Sequence, residues 1–207
     1  MTERKKINLI ICGVGGQGNI LASQIIASAG IRQGLRVAIG ETYGASQRGG
    51  SVMSHIRFSR EIQLGPLIPS GEADIIIGFE PLETLRVMLD YGKDTTRVIF
   101  NPRPNYPISV LSGEASYPDL NLIFEQIKNL AERALVVEAS ELAKKAGNYL
   151  AQNIVMVGAL AESGWLKIPV EDFRGVIEEI FEEPSKRELN LKAFEQGREG
   201  FRQAKSL

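Results

Sequence analysis

The sequence is most restrictive in the metal-ligating side chains that it lacks. It contains one cysteine, Cys12, and one histidine, His55. A single cysteine excludes an intrachain disulfide. It also excludes an iron–sulfur cluster or a structural zinc site whose cysteine ligands all come from this chain. One histidine excludes a site with two histidine ligands. We therefore expect no metal site within the chain, and any redox chemistry must rely on carboxylates, a bound cofactor or another chain.

An excess of one charge and long apolar runs are also absent. The formal net charge is −1, so no overall field attracts the chain to nucleic acid or to an anionic membrane. No apolar run approaches the roughly 18 residues of a membrane-spanning helix, and residues 1–6 form a short charged tail without a secretory pattern. We expect a cytoplasmic protein, and the 43% hydrophobic content is sufficient for a single packed domain over residues 1–207.

Apolar runs bounded by glycines and turn residues alternate with amphipathic segments along most of the chain. The runs predict five or six strands, at residues 6–12, 36–40, 51–60, 73–79, 97–100 and 135–138. The amphipathic segments predict helices at residues 19–30, 81–91, 120–134, 140–147, 149–163, 170–181 and 186–205. This order predicts an α/β fold, a three-layer α/β/α sandwich with a mostly parallel, mixed sheet. It has a Rossmann-like start and a helical C-terminal part.

The segment Ser51–Arg60 departs from a simple nucleotide-binding pattern. Its apolar residues alternate with period two, which predicts a strand where the β-α-β-α-β pattern requires a helix. We expect this strand to be antiparallel, with a wetter face formed by Met53, His55, Arg57 and Ser59.

Two polar glycine clusters stand out as candidate sites. The first, GVGGQG at Gly13–Gly18, follows a strand and opens a helix, so backbone N–H groups gather at a helix N-terminus and suit an anion. The second, ETYGASQRGG, spans Glu41–Gly50. In the plain structural interpretation, the first cluster only makes a tight turn and lets helix and strand pack closely.

The first cluster also satisfies the dinucleotide pattern G-x-G-x-x-G. Glu41 stands at the end of the second predicted strand, where a ribose-binding acid is expected roughly 20 residues after the glycines. Gln17 and the antiparallel strand count against this interpretation. An NAD(P)- or nucleotide-binding oxidoreductase domain is therefore the alternative hypothesis.

Four motifs together resemble a known family. They are GVGGQG at Gly13–Gly18, YGASQRGGSVMSHIRFS at Tyr43–Ser59, ADIIIGFEPLETLR at Ala73–Arg86 and NIVMVGALAESG at Asn153–Gly164. These segments resemble the gamma subunit, or third domain, of the 2-oxoacid:ferredoxin oxidoreductases, and most of all the beta subunits of the indolepyruvate ferredoxin oxidoreductases. The resemblance covers nearly all of the chain.

The resemblance implies a reaction and a partner. A 2-oxoacid such as indolepyruvate is decarboxylated on thiamine diphosphate, electrons pass through iron–sulfur clusters to ferredoxin, and the acyl group is transferred to coenzyme A. A larger alpha subunit is expected to hold both the thiamine diphosphate and the clusters, which agrees with the cysteine count. This chain would then be an accessory subunit of a hetero-oligomer, inactive alone and holding no cofactor by itself.

Both glycine clusters supply candidate ligand-binding or interface residues. These are Gly13, Gly15, Gly16, Gln17, Gly18, Tyr43, Gln47, Arg48, Gly49 and Gly50. The N–H groups of Gly15 to Gly18, together with Arg48, could hold a phosphate of coenzyme A or another acidic group. Alternatively, the QRGG loop contacts the partner subunit, or the chain is a non-catalytic scaffold. For His55 and Cys12 we favour structural roles over catalysis, and we assign no catalytic residue.

Overall fold

A computed structural model describes residues 6–43, 49–106 and 108–207, except the side chains of residues 43, 108 and 109. Six strands form one sheet in the order β2-β3-β1-β4-β5-β6. Their bounds are β1 Lys6–Val14, β2 Arg36–Tyr43, β3 Ser51–Ser59, β4 Ile75–Gly78, β5 Arg97–Phe100 and β6 Arg133–Val136. β3 is antiparallel to both β1 and β2, whereas β1, β4, β5 and β6 pair in parallel. The predicted mixed sheet with one antiparallel strand is confirmed.

Helices connect and flank these strands. They are α1 Asn19–Arg32, α2 Pro81–Tyr91, α3 Ile108–Leu111, α4 Leu120–Leu130, α5 Ala139–Ala146, α6 Gln152–Ser163, α7 Val170–Ile180 and α8 Pro184–Gln203, with a 3₁₀ turn at Tyr149–Ala151. The predicted bounds of α2 and β5 are confirmed. α4 was predicted to continue to Ala134, which is wrong, because the chain pairs with β5 from Arg133 onward.

The sheet is covered on both faces, as predicted for three layers. On one face, Leu9 and Ile11 of β1 contribute to a core shared with α1 and with α5 to α8. On the other, Ile10 and Cys12 contribute to a core shared with α2 and α4. Because successive side chains of a strand point to opposite faces, a strand covered on both sides is apolar throughout. Burial on both faces therefore explains why the apolar run from Leu9 to Cys12 is uninterrupted.

The predicted wetter face of β3 is wrong. His55 is 1% exposed and Arg57 is 9% exposed. Arg57 donates from Nε to Asn8 Oδ1 (3.0 Å) and from Nη1 to the carbonyl oxygens of Gly65 and Leu67 (3.1 and 3.0 Å). The loop after β3 therefore folds back across this face, and Arg57 on the strand forms hydrogen bonds with the backbone of that loop.

The position of β3 also changes the start of the fold. In a dinucleotide-binding sheet, β2 lies directly beside β1, but here β3 lies between them. The end of β2 is therefore two strand spacings, roughly 10 Å, from the end of β1. In the part of the chain that the structure describes, no helix combines the length and apolar character needed to cross a bilayer.

Candidate functional site at the carboxyl edge of the sheet

The first glycine cluster forms the turn between β1 and α1. Gly16 and Gly18 have positive φ angles of 105° and 87°, which explains why glycine is used there. A Cβ on Gly13 would lie 2.6 Å from Oε1 of Gln17 and 3.0 Å from Cβ of Phe79. The turn thus packs directly against the end of β4, at the edge where parallel α/β sheets place their ligands.

The two glycine clusters contact each other through their backbones. Gly15 N–H donates to the carbonyl oxygen of Gly50 (2.8 Å), and Gly49 N–H donates to that of Gly15 (3.4 Å). Of the remaining predicted residues of the second cluster, Tyr43 ends β2, whereas Gln47 and Arg48 lie outside the described residues. The structure therefore brings the two clusters together at the carboxyl edge of β1.

Gln17 points into the protein. Its Oε1 accepts from Val14 N–H (2.7 Å) and its Nε2 donates to the carbonyl oxygen of Phe79 (3.1 Å). Its own N–H donates to the carbonyl oxygen of Val14 (3.1 Å). Gln17 therefore joins the ends of β1 and β4, a role that sequence patterns did not show. A phosphate at this turn would have to compete with existing bonds for the N–H groups of Gly15 and Gln17.

A chain of hydrogen bonds continues from Gln17 across the edge of the sheet. The carbonyl oxygen of Phe79 also accepts from Asn101 Nδ2 (3.3 Å), which in turn contacts Ser140 Oγ (3.1 Å). Ser140 Oγ donates to Gln152 Oε1 (3.2 Å). Phe79 and Asn101 directly follow β4 and β5, Ser140 lies in the first turn of α5, and Gln152 begins α6. The sequence alone did not single out Asn101 or Ser140, although a polar residue such as Asn101 directly after a buried parallel strand is a usable signal for this edge.

A cavity of about 220 Å³ opens beside this network. Gly16 and Gln17 lie on one side of it, and Arg103 and Asn105, from the segment after β5, lie on the other. The side chain of Arg103 is exposed, and among the described residues it brings the one charged group to a lining that is otherwise uncharged. The cavity therefore suits an acidic group, because a guanidinium forms charge-assisted hydrogen bonds with phosphate or carboxylate oxygens.

The wall that carries Arg103 is attached to the sheet through Glu80. Glu80 is 1% exposed and follows β4. One carboxylate oxygen accepts from Tyr117 Oη and from Asn105 N–H (3.4 Å), and the other accepts from Glu83 N–H (2.9 Å) at the start of α2. Burial raises the pKa of Glu80, while the bond from Tyr117 acts in the opposite direction.

His55 and Cys12, for which the sequence favoured structural roles, are both buried. His55 Nδ1 accepts from Ile68 N–H (3.3 Å), its ring packs edge-on against Tyr91, and burial lowers its pKa. Burial likewise raises the pKa of the Cys12 thiol, which is 1% exposed. A buried thiol with a raised pKa has little thiolate and is unreactive.

Glu41, the candidate ribose ligand, is already engaged. Its two carboxylate oxygens accept from Ser23 Oγ (2.9 Å) and Ser54 Oγ (2.5 Å), so it joins β2 to α1 and β3. The engaged Glu41 and the insertion of β3 between β1 and β2 both count against dinucleotide binding. Of the sequence features that suggested it, the glycine turn alone still supports that hypothesis. Among the described residues, no group of three or more metal-ligating side chains could hold an ion.

Comparison with known proteins identifies relatives that the chain matches along nearly their whole length. The family described as pyruvate ferredoxin/flavodoxin oxidoreductase matches residues 8–200. Indolepyruvate oxidoreductase subunit IorB from Archaeoglobus fulgidus is 43% identical over 197 residues, which are 93% of this chain and 94% of that protein. The IorB subunit from Thermococcus kodakarensis is 37% identical over 93% of this chain and 95% of its own length.

Solved structures show the same fold in two contexts. The 2-oxoglutarate:ferredoxin oxidoreductase from Magnetococcus marinus, with 2-oxoglutarate, coenzyme A and succinyl-CoA bound, matches with a TM-score of 0.75 and 25% identity. The match covers 97% of this chain but only 32% of that one. The pyruvate oxidoreductase subunit PORC from Thermotoga maritima matches with a TM-score of 0.72 and 20% identity over 99% of its length. The fold therefore occurs both as a separate subunit and as about a third of a longer chain.

Proposed function

The chain belongs to the pyruvate ferredoxin/flavodoxin oxidoreductase family, and we propose that it is the accessory subunit of a 2-oxoacid:ferredoxin oxidoreductase that acts on indolepyruvate or related aryl pyruvates. The observation that carries this proposal is the 43% identity to an IorB subunit along 93% of the chain. The resemblance in the four motifs supports the same assignment.

In the proposed reaction, the bond between the keto carbon and the carboxylate breaks and releases carbon dioxide. The remaining acyl group forms a thioester with the sulfur of coenzyme A, whose S–H bond breaks and releases a proton to solvent, and the two electrons released reduce ferredoxin. Thiamine diphosphate on the larger subunit supplies the electron sink that makes the decarboxylation possible.

The residues of this chain do not fit the electron-transfer groups of that reaction. A cluster needs several thiolate ligands, whereas the single cysteine, Cys12, is 1% exposed in the core. We therefore assign thiamine diphosphate and the iron–sulfur clusters to the larger alpha subunit. Ferredoxin would bind the complex at that subunit. We also propose the cytoplasm as its location. Proteins of oxidising compartments are commonly stabilised by disulfides, and a chain with one cysteine cannot form one within itself.

For this chain itself, we propose that the cavity beside the glycine turn holds an acidic group of coenzyme A. Arg103 would supply positive charge from one wall, and the turn at Gly16 would approach from the other. Asn101 and Ser140, fixed by their own hydrogen bonds, keep the floor of the cavity in place. Arg48, which lies outside the described residues, is the second candidate donor. The continuous sheet and the core that it shares with α5 to α8 support one domain over residues 1–207.

The subunit assignment is tested by anaerobic copurification of the tagged chain from its native host. We expect a stoichiometric larger subunit that carries thiamine diphosphate, iron and acid-labile sulfide. The complex should reduce ferredoxin only when indolepyruvate and coenzyme A are both present, and the isolated chain should show no turnover. A lone protein that binds NAD(H) would overturn the assignment and restore the dinucleotide-binding alternative.

The coenzyme A role is tested in the purified complex with Arg103→Ala. Removing one charge-assisted hydrogen bond costs about 1.5–3 kcal/mol, so we expect the KM for coenzyme A to rise about tenfold or more while the KM for the 2-oxoacid stays unchanged. Arg60→Ala is the matched control, because Arg60 is exposed beyond β3 at the opposite edge of the sheet.

The same measurement with Arg48→Ala separates ligand binding from docking. An unchanged KM for coenzyme A in both Arg103→Ala and Arg48→Ala would contradict the proposed ligand role. If those variants instead assemble poorly with the larger subunit, the loop and the cavity wall are interface elements, which is the alternative left open by the sequence.

A further inference from the structure

The segment that carries Arg103 is restrained by its own sequence. Residues 101–105 read NPRPN, so a proline stands on each side of the arginine. The ring of a proline fixes its own φ at roughly −65°, and a residue that precedes a proline is confined to extended conformations. Together these two effects restrict the backbone of residues 101–104. The segment belongs to no helix or strand, and its prolines supply the rigidity that regular backbone hydrogen bonding gives elsewhere.

Both ends of the segment are attached to consecutive residues at the end of β4. Asn101 N–H donates to the carbonyl oxygen of Gly78 (2.9 Å), and Asn101 Nδ2 donates to that of Phe79 (3.3 Å). At the other end, Asn105 N–H donates to the carboxylate of Glu80 (3.4 Å). We call residues 101–105 the arch, because its two ends rest on residues 78–80 and Arg103 stands at its middle.

The guanidinium at the middle of the arch is available to a ligand. Among the described residues, no hydrogen bond or ion pair involves this guanidinium. Its charge acts on the carboxylate of Glu141 in α5, but that carboxylate is paired with Lys144 (2.6 Å). Arg103 is exposed and lines the cavity together with Gly16. The restraints of the arch therefore act on a side chain that has no structural bond of its own.

We propose that the arch is a preorganised clamp, in which the positioning residues Glu80 and Asn101 hold Arg103 at the cavity before the acidic group of coenzyme A binds. This inference rests on the proposed function and names residues that set the affinity of that site. Ordering a mobile loop around a ligand costs conformational entropy. A backbone that is already fixed avoids part of this cost, so Glu80 strengthens binding although it does not line the cavity.

The first test measures the KM for coenzyme A in the purified complex with Pro102→Gly. Pro102 does not line the cavity, and glycine frees the backbone without removing a side-chain hydrogen bond of the arch. We expect the KM for coenzyme A to rise about two- to fivefold, with kcat and the KM for the 2-oxoacid unchanged. Pro69→Gly is the matched control, because Pro69 lies in the exposed loop before β4, and it should leave all three constants unchanged.

Glu80→Gln tests the second anchor. Because an amide nitrogen donates where a carboxylate oxygen accepts, the N–H groups of Asn105 and Glu83 would have one acceptor oxygen between them. We expect the KM for coenzyme A to rise about two- to tenfold. In the full chain, the amide hydrogen of Asn105 should exchange with solvent at least about twofold faster, because it loses its acceptor.

A double-mutant cycle distinguishes positioning from a general structural role. If the arch acts through Arg103, neither Pro102→Gly nor Glu80→Gln should raise the KM for coenzyme A further in the Arg103→Ala background. A purely structural role would raise it equally in both backgrounds. Circular dichroism verifies that each variant is folded, and if Glu80→Gln does not fold, Pro102→Gly alone decides.

Two outcomes overturn the inference. A folded Pro102→Gly or Glu80→Gln variant with the wild-type KM for coenzyme A would show that the restraint contributes nothing to binding. Equal increases with and without Arg103→Ala would show that the arch does not act through the arginine. If Arg103→Ala itself leaves the KM unchanged, the proposed coenzyme A role fails instead, so the two failures are distinguishable.

Discussion

At the scale of single residues, Glu80 shows how one buried carboxylate organises the site. It begins α2 by accepting from Glu83 N–H, and it holds the segment that carries Arg103 by accepting from Asn105 N–H. Tyr117 Oη completes its hydrogen bonding, and the Tyr117 ring packs edge-on against Tyr106. No local pattern in the sequence indicates this role, since Asn105 and Tyr117 are 25 and 37 residues away from Glu80.

The raised pKa of Glu80 predicts a pH-dependent contribution to stability. The folded protein binds this proton more tightly than the unfolded chain does, whose carboxyl keeps a pKa of about 4.3. The contribution is therefore fully present below about pH 4 and is lost as the pH rises through the folded-state pKa. Urea titrations from about pH 4 to 7 should show the free energy of unfolding of the wild type declining relative to Glu80→Gln.

Tyr117→Phe and Glu125→Gln complete that experiment. Tyr117→Phe removes a hydrogen bond that lowers the pKa of Glu80, so the pH-dependent loss should extend to higher pH. Glu125→Gln, at an exposed position of α4, should show no such trend. A difference between wild type and Glu80→Gln that stays constant with pH would contradict the prediction.

At the scale of elements, α6 and α8 pack unusually closely. A Cβ on Gly197 of α8 would overlap the carbonyl oxygen of Val155, and a Cβ on Gly158 of α6 would overlap that of Phe194. Both glycines therefore permit backbone contact between the helices. Ion pairs between Glu162 and Arg198 (2.8 Å) and between Glu162 and Arg202 (2.7 Å) lie along the same contact.

Gly197→Ala should therefore destabilise the protein by about 1–3 kcal/mol, since the backbones must move apart. This loss should exceed the gain of about 1 kcal/mol expected from replacing a helical glycine by alanine. Gly175→Ala in α7 is the matched control, because its Cβ would meet only the guanidinium of Arg32, which can move. We expect that variant to be neutral or slightly stabilised in chemical denaturation, and equal effects of the two substitutions would contradict the argument.

At the scale of the whole molecule, the helical C-terminal part is integral to the sheet domain. Ala193 and Phe194 of α8 are 0% exposed and belong to the same core as Leu9 and Ile11 of β1. After α8, Leu207 N–H donates to the carbonyl oxygen of Ala134 in β6 (3.1 Å). The last helix therefore packs on α5, α6 and α7 and shares their core with the central strands, although its sequence is largely charged.

Truncation tests this integration. A chain ending at Glu183 exposes side chains such as Phe194, each of which contributes about 1.5–3 kcal/mol when buried, against a total stability of about 5–15 kcal/mol. We expect it to lose its cooperative unfolding transition. A chain ending at Gln203 keeps α8 and should remain folded, as measured by near-ultraviolet circular dichroism and thermal unfolding. Cooperative unfolding of the shorter chain would show that the sheet is stable without α8.

The sequence by itself determined the layered α/β architecture, the approximate positions of most elements, the antiparallel β3 and the family. These follow from local periodicity and short motifs, because a buried parallel strand, a helix stripe and a glycine turn each leave a pattern within about ten residues. Pro81–Tyr91 and Arg97–Phe100 were therefore predicted with their observed bounds. The placement of the glycine turn at the end of β1 was recognised for the same reason.

Only the tertiary structure decided where β3 lies in the sheet, which face of it is buried and what Gln17 contacts. It alone brought Gln17, Asn101 and Ser140 into one network with Arg103 at its rim. These relations join residues tens of positions apart, such as Gln17 with Phe79 and Asn101 with Ser140. Contacts of this kind depend on strand order and packing, which leave no periodic trace along a single chain.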